Sequence, residues 1–175
     1  MKTPHTPAQL QATALARKRA LLVAAVALVI GVVMLGLSSA FLQLHCVMAM
    51  AVALSGGIAA ARAAGQIDRP SVRRAGTIGG MYATLAYAVP FMVFNFIDWL
   101  TLTPGKVAER MAQLTPDQVA FARQNNMQFG LEYFKAQDVA YVFGYLLFAL
   151  ALGSLIGMLG GILARRQLDS AEGGG

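Results

Sequence analysis

The chain has 175 residues, of which 57% are hydrophobic and only 13% are charged, with a net charge of +6. A basic soluble protein would suggest a nucleic-acid partner, but in so apolar a chain we interpret the basic residues as membrane topology and expect no nucleic-acid partner. The composition predicts one all-α membrane domain over residues 1–175, in contact with the lipid bilayer. Cys46 is the only cysteine, which excludes an internal disulfide and a multi-cysteine metal site. We expect it to be a small buried apolar residue.

Three segments without a charged side chain define the predicted membrane spans, residues 20–61, 75–97 and 139–164. The hydrocarbon core of a bilayer is about 30 Å thick, and about 20 apolar residues in a helix cross it. The first segment is therefore long enough for two passes and each later segment for one. The predicted fold is four transmembrane helices arranged as two hairpins, at residues 20–40, 43–63, 74–100 and 138–165.

The N-terminal segment, residues 1–19, carries its own helix signal. Thr6 and Gln9 have capping-box spacing, and Pro7 occupies the first helical position. We expect a short amphipathic helix here that leads into the first transmembrane helix. Turns are expected near residues 38–43, the polar cluster of the first run, and near Pro70, which disfavours helix at the residue before it.

The distribution of Lys and Arg predicts the orientation. With the N-terminus in the cytoplasm, the inner segments and helix ends carry ten of the 14 basic residues, namely Lys2, Arg17, Lys18, Arg19, Arg62, Arg69, Arg73, Arg74, Arg165 and Arg166. Basic residues near helix ends resist translocation, so the favoured topology has both the N-terminus and the tail 166–175 inside the cell. We predict the bacterial cytoplasmic membrane as the location.

The outer loop, residues 101–137, is predicted to be helical because it is too long to be structureless in so small a protein. Thr103 and Thr115 are each followed by proline, which is typical of a capped helix start. Two short helices are expected, and the second should break at Asn125 and the asparagine after it. They would lie on the outer membrane surface or cap the bundle, and we favour capping over ligand recognition.

Small residues spaced by four mark the predicted contact faces of three helices. In lipid, close backbone approach and dispersion drive helices together, so such stripes indicate packing. They are Gly57, Ala61 and Gly65 on the second helix, Gly76, Gly80 and Thr84 on the third, and Gly153, Gly157 and Gly161 on the fourth. We favour packing within one chain, and leave open packing against a second copy or a glycine-zipper lining of a pore.

Four residues are candidates for a functional role in or near the spans. Asp98 follows Asn95 at the outer end of the third helix, where it is either an interfacial residue hydrogen-bonded to the loop or to Asn95, or a proton or cation site. Pro90 should kink the same helix, as a packing feature or as a gating hinge. His45 is expected to be a satisfied polar residue, with a haem, chlorophyll or metal ligand as the alternative.

The two hairpins share short features that would fit an internal repeat. Each first helix follows a basic pair, and each second helix carries a glycine pair ahead of a basic end. Parallel repeats of this kind occur in some transporters. Shared requirements at the inner helix ends produce the same matches without duplication.

The chain also resembles a family of small bacterial four-helix membrane proteins known only as a domain of unknown function. The resemblance centres on the element Asn95, Phe96, Ile97 and Asp98. It continues through the segment 114–118 in the outer loop and the glycine-rich last helix with its basic end. The family has proline after this element, where this chain has Trp99. The resemblance implies the architecture and brings no activity, cofactor or catalytic residue.

No catalytic, nucleotide or metal motif occurs in the sequence, so we predict a protein that is not an enzyme and needs no cofactor. The favoured hypothesis is an accessory or scaffold subunit, or a self-associating helical bundle, whose partners are other membrane proteins or itself. The alternative is a small homo-oligomeric transporter or channel that uses Asp98, Asn95 and Pro90. A third hypothesis is a pigment-binding subunit that uses His45.

Overall fold

A computed structural model describes residues 6–36, 42–68 and 71–173. This part of the chain contains six helices and no strand, which confirms the all-helical prediction: α1 (Pro7–Leu35), α2 (Leu42–Gly65), α3 (Val72–Thr101), α4 (Pro104–Ala112), α5 (Pro116–Gln124) and α6 (Leu131–Gly173). Most of the predicted turn at 38–43, as well as Pro70 and the last two glycines, lie outside the described residues. The chain divides into two compact units, the first comprising Met1–Pro90 with Leu146–Gly175 and the second Phe91–Tyr145.

Four of these helices are long and apolar enough to cross a membrane, as the charge-free segments predict. They are α1, α2, α3 and α6, and each contains a strongly hydrophobic window with few charged residues. The bounds of α2 and α3 lie within two residues of the predicted 43–63 and 74–100. The fold is therefore that expected of a multi-pass membrane protein.

The first helix differs from the prediction of a separate short helix ahead of residues 20–40. Helix α1 begins at Pro7 behind the predicted capping box, in which Thr6 accepts from the Gln9 amide and Gln9 accepts from the Thr6 amide. It then continues without a break to Leu35. Since no glycine or proline lies between Pro7 and Gly31, nothing in the backbone favours an interruption.

The last helix extends past both ends of the predicted span 138–165. It begins at Leu131, directly after Gly130, and continues through most of the expected tail to Gly173. The residues on both sides of the apolar stretch are good helix formers, and Arg165 and Asp169 form an ion pair at helical spacing, 3.9 Å apart. Hydropathy locates the apolar part of a membrane-spanning helix. The helix itself continues as far as the flanking residues favour helical backbone.

Large apolar side chains are exposed and small ones are buried, the reverse of a water-soluble core. Apart from Met34, the buried face of α1 is built from alanine and glycine, whereas Val26, Val29 and Val33 are each at least 60% exposed on the same helix. Water-soluble proteins bury most of their large aliphatic side chains. A helix that packs through alanine and exposes valine and leucine is typical of a lipid environment, where dispersion between closely packed backbones holds helices together.

The two short helices predicted in the segment 101–137 are present as α4 and α5. Thr103 caps α4 and Thr115 caps α5, each with proline in the first turn. Helix α5 ends at the predicted asparagine, and Asn126 follows in a left-handed conformation with φ of 52°. Asparagine tolerates this conformation better than most residues, which explains why the helix stops there.

Candidate functional site

The second unit contains a cluster of charged side chains centred on Arg110. From α4, its guanidinium donates through Nη1 to Asp138 Oδ1 at 2.9 Å and through Nη2 to Asp98 Oδ2 at 3.0 Å. Asp98 lies near the end of α3 and Asp138 lies on α6, so one side chain joins three helices. We refer to Asp98, Arg110 and Asp138 as the arginine cluster.

The local sequence explains why α4 presents Arg110 in this position. Capping by Thr103 fixes the start of α4, and one turn later Val107 packs with Leu102 and Phe134 in a small buried cluster. Arg110 follows Val107 at helical spacing and therefore projects from the same face. Its guanidinium lies 5.7 Å from the centre of the Phe134 ring, a cation–π contact that further fixes its orientation.

The electrostatics of the cluster favour a permanently charged arginine. Burial acts to lower the pKa of Arg110, but the hydrogen bonds and negative charges of Asp138 and Asp98 outweigh it, so the pKa is raised. Lys106 adds a second cation, with Nζ 3.8 Å from Asp98 Oδ1 and a hydrogen bond of 2.9 Å to the Thr101 hydroxyl. Two cations thus face two carboxylates.

Asp138 is the most deeply buried charged residue of the cluster. Its side chain is only 2% exposed, and while Oδ1 accepts from Arg110, Oδ2 is buried and has no hydrogen-bond partner among the described residues. Buried polar atoms in native proteins are nearly always paired with protein or water. Asp138 Oδ2 therefore has unused capacity to accept a hydrogen bond.

The structure gives the predicted candidates Asp98 and Asn95 separate partners. Asp98 forms ion pairs with Arg110 and Lys106, both in the segment 101–137. Contact with this loop is one of the two arrangements expected for an interfacial aspartate. Asn95 instead donates to the Phe91 carbonyl of its own helix at 2.7 Å. The contact between Asp98 and the loop is thus observed, and the suggested bond between Asp98 and Asn95 is replaced by a backbone contact.

His45 joins α2 to α3. Its Nδ1 lies 3.2 Å from the hydroxyl of Tyr87, and that hydroxyl also donates to the His45 carbonyl at 3.4 Å. Tyr87 is buried, so this pair satisfies a polar group that would otherwise face apolar surroundings. The neighbouring Cys46 is exposed, contrary to the expectation of a buried residue, because the buried face of α2 begins only at Ala49.

Pro90 is buried within α3, which continues through it as one helix. Gly31 on α1 lies against this region: a Cβ atom at Gly31 would collide with the Tyr87 carbonyl oxygen and lie 3.2 Å from Pro90 Cγ. Glycine therefore lets α1 approach α3 beside the proline. The predicted kink and the hinge role of Pro90 stay predictions.

The predicted small-residue faces meet one another inside the first unit. A Cβ atom on Gly57 would lie 2.6 Å from the carbonyl oxygen of Gly157, so α2 and α6 touch through their backbones. Helix α3 approaches α6 as closely, since a Cβ on Gly76 would lie 2.6 Å from the Cα of Gly161. Gly80 lies against Gly153 and Gly157, and Gly153 also faces the Thr84 hydroxyl.

The remaining predicted packing residues, Ala61 and Gly65, lie near the C-terminal end of α2. Ala61 is fully buried with Val72 and Ala164, and Gly65 faces Val72 and Leu168. A side chain at Gly65 would meet flexible side-chain atoms, whereas one at Gly57 would meet backbone. The backbone contacts are therefore the more restrictive positions.

A second set of small faces was missed in the sequence. Gly56 on α2 packs against Gly79 on α3, where a Cβ on Gly56 would lie 2.6 Å from the Gly79 carbonyl oxygen. Six alanines, from α1, α2 and α3, form a cluster beside it: Ala12, Ala16, Ala20, Ala60, Ala64 and Ala75. The signal in the sequence is alanine at a spacing of four, at Ala12, Ala16 and Ala20 on α1 and at Ala60 and Ala64 on α2.

The arginine cluster was also only partly predicted. Of its three residues, only Asp98 was a predicted candidate; Arg110 and Asp138 were not. Within the described ranges, no three His, Cys, Asp or Glu side chains form a group that could hold a metal ion.

No protein-family model matches this chain, and neither a curated protein nor a solved structure shows significant similarity to it.

Proposed function

We propose that this chain is a non-enzymatic, multi-pass protein of the bacterial cytoplasmic membrane that serves as an accessory or scaffold subunit or associates with itself. Both termini would lie inside the cell, as the basic residues indicate. Small buried and large exposed side chains on α1 support residence in lipid. The resemblance to small bacterial four-helix proteins stays a prediction, and it agrees with this architecture.

One observation carries the non-enzymatic part of the proposal: polar side chains of the long helices bond within the chain. Thr84 donates to the Gly80 carbonyl, Asn95 to Phe91 and Ser154 to Leu150. Polar groups in a membrane that act on a substrate face a cavity or pathway. Groups that bond to the preceding turn of their own helix support a packing role instead.

Of the two surfaces that the sequence offers for contact with a partner, the glycine faces and the segment 101–137, the segment 101–137 is the better candidate. The glycine faces lie against helices of the same chain, so they are not available to a partner. The segment 101–137 instead exposes two large apolar side chains outside the long helices. Phe121 on α5 is 59% exposed, and Met127, which follows α5, is 44% exposed. Exposed aromatic and methionine side chains are typical of protein interaction surfaces.

Native mass spectrometry of the full chain after gentle extraction tests this proposal. We expect a stoichiometric partner chain or a defined homo-oligomer, and the variant Phe121→Ser should weaken that assembly. Gln124→Ser, an exposed polar position on the same helix, serves as the matched control. A protein that is monomeric and without a partner under all mild conditions would contradict the proposal.

Asp138 favours a second candidate function, a small homo-oligomeric transporter or channel. Ionisable side chains buried in membrane proteins often mark ion pathways or proton relays, and Asp138 is a buried carboxylate beside Arg110. In proteoliposomes, ion or proton flux that Asp138→Asn abolishes would support this function. Flux that neither Asp138→Asn nor Asp98→Asn alters would remove the arginine cluster from the mechanism, and the absence of flux would leave the scaffold proposal in first place.

A further inference from the structure

A groove of about 480 Å³ lies between α1, α2 and the start of α3, in the first unit. This volume falls in the range of about 300–1,000 Å³ that small-molecule sites occupy. Its walls are mostly apolar, with alanines from all three helices and the side chains of Leu10 and Ile78. Its polar lining residues include Arg17 and Arg74.

The two arginines come from different helices and have no acidic partner. Arg17 lies on α1 and Arg74 on α3, both are exposed, and neither forms an ion pair within the described residues. Ser71, which also lines the groove, donates its hydroxyl to Asp68, so that carboxylate already has a partner. Neither guanidinium is therefore held in an ion pair by a described residue, and both can bind an anionic ligand.

The position of the groove along the helices fits the boundary between lipid headgroups and hydrocarbon. Arg17 lies just before the charge-free segment 20–61, and Arg74 directly precedes the charge-free segment 75–97. Beyond them, the groove is lined by Ile78 and Tyr82, whose side chains are partly exposed. A molecule that places a negative charge between the arginines would extend its apolar part along these residues.

We propose that this groove binds an anionic phospholipid, with the phosphate between Arg17 and Arg74 and an acyl chain along α1 and α3. Arginine is suited to this role because its planar guanidinium bonds phosphate oxygens in pairs. Basic pockets between transmembrane helices on the cytoplasmic side are recognised sites for anionic headgroups. The site goes beyond the proposed function, and it requires only that α1 to α3 lie in a bilayer.

Native mass spectrometry of the purified full chain with added phosphatidylglycerol or phosphatidylcholine tests the site. The wild-type protein should retain the anionic lipid preferentially. The variant Arg17→Gln/Arg74→Gln should lower this retention roughly tenfold, because it removes two charge-assisted contacts. Arg19→Gln/Arg73→Gln is the matched control: it removes the same charge from exposed neighbours that do not line the groove, and it should retain the lipid.

Three results would overturn the proposal: no preference for the anionic lipid, equal losses in both double variants, or full retention in Arg17→Gln/Arg74→Gln. Displacement of the lipid by inorganic phosphate would identify a site for free anions rather than for lipid. A measurement on the unaltered protein covers the case in which the groove variant does not fold. Phosphatidylglycerol with a photoreactive acyl chain should label Ile78 or Tyr82, and labelling confined to other helix faces would contradict the site.

Discussion

Arg110 connects three helices through its side chain. Its two terminal nitrogens bond to carboxylates on two different helices, Asp98 on α3 and Asp138 on α6. Lysine could not reproduce this arrangement, because its ammonium is a compact charge rather than a planar fork. The ring of Phe134 supports the guanidinium from one side. The fold of this unit therefore depends on the shape of the side chain as well as on its charge.

Replacing Arg110 tests this dependence. Arg110→Gln should destabilise the protein by about 3 kcal/mol, because it leaves the buried Asp138 carboxylate without a counterion. Thermal unfolding in mild detergent, followed by circular dichroism, measures the loss. Arg123→Gln removes the same charge from an exposed position on α5 and should change stability by less than about 0.5 kcal/mol. Equal effects of the two substitutions would show that the cluster does not stabilise the fold.

The pH dependence of the same contribution follows from the raised pKa of Arg110. A group whose pKa is raised by folding contributes its full stability below its ordinary pKa and loses that contribution only as the pH rises through the folded value. Since the ordinary value of arginine already lies far above neutrality, the stability difference between wild type and Arg110→Gln should stay constant from pH 7 to pH 10. A difference that shrinks over this range would mean that another group carries the contact.

The cluster could be predicted from the sequence only in part, for a physical reason. Asp98 was selected because an acidic residue at the end of an apolar helix is rare and costly, which makes it conspicuous. Arg110 is one of several basic residues in a polar segment, and its role depends on a tertiary contact with α6. Side-chain contacts between distant segments leave no periodic pattern in the sequence.

At the scale of helices, the positions of the glycines decide which two helices can approach each other closely. Gly153 faces α3, where an added methyl group would meet the Thr84 hydroxyl and lie 2.9 Å from the Gly80 carbonyl oxygen. Gly144 lies on the same helix with no atom within 4 Å of a Cβ built there. The two glycines are alike in sequence context, within one apolar helix, and differ only in what they contact.

Alanine substitutions at these two positions should therefore have opposite effects. Gly153→Ala should destabilise the protein by about 1–3 kcal/mol, because α3 and α6 must separate to admit the methyl group. Gly144→Ala should be neutral or stabilising by up to about 1 kcal/mol, since alanine is the better helix former. The midpoints of thermal unfolding in detergent provide the comparison. A destabilising Gly144→Ala, or a neutral Gly153→Ala, would contradict the packing described for α6.

The four long helices were predictable, and so were the bounds of α2 and α3, whereas the full length of α1 and of α6 was not. The hydrophobic requirement of the bilayer leaves a long apolar run, so the four spans could be identified from residues 20–61, 75–97 and 139–164. The continuation of α1 to Pro7 and of α6 to Gly173 depends on backbone propensity outside the apolar runs. Helix propensity contributes less than about 1 kcal/mol per residue, and a hydropathy profile does not measure it.

The whole molecule combines a small-residue core with a large apolar exterior, and this arrangement limits where partners can bind. The buried alanines and glycines form the contacts among α1, α2, α3 and α6 and are therefore not exposed to a partner. Exposed surface remains on the large apolar side chains of the long helices and on α4 and α5. Composition alone predicted the membrane class, but the division between internal and external faces required the structure, because small residues serve either kind of contact.

The orientation of the whole chain is its most direct remaining test. In a Cys46→Ser background, which removes the only native cysteine, single cysteines are introduced by Gln113→Cys after α4 and Ser170→Cys near the end of α6, both exposed positions. If both termini lie inside, a membrane-impermeant maleimide should label Gln113→Cys in spheroplasts and should label Ser170→Cys only after permeabilisation. The reverse pattern would invert the topology, because ten of the 14 basic residues would then lie outside, against the preference of Lys and Arg for the cytoplasmic side. Inversion would also move Arg17 and Arg74 to the outer leaflet, so the same measurement decides which leaflet supplies the proposed lipid.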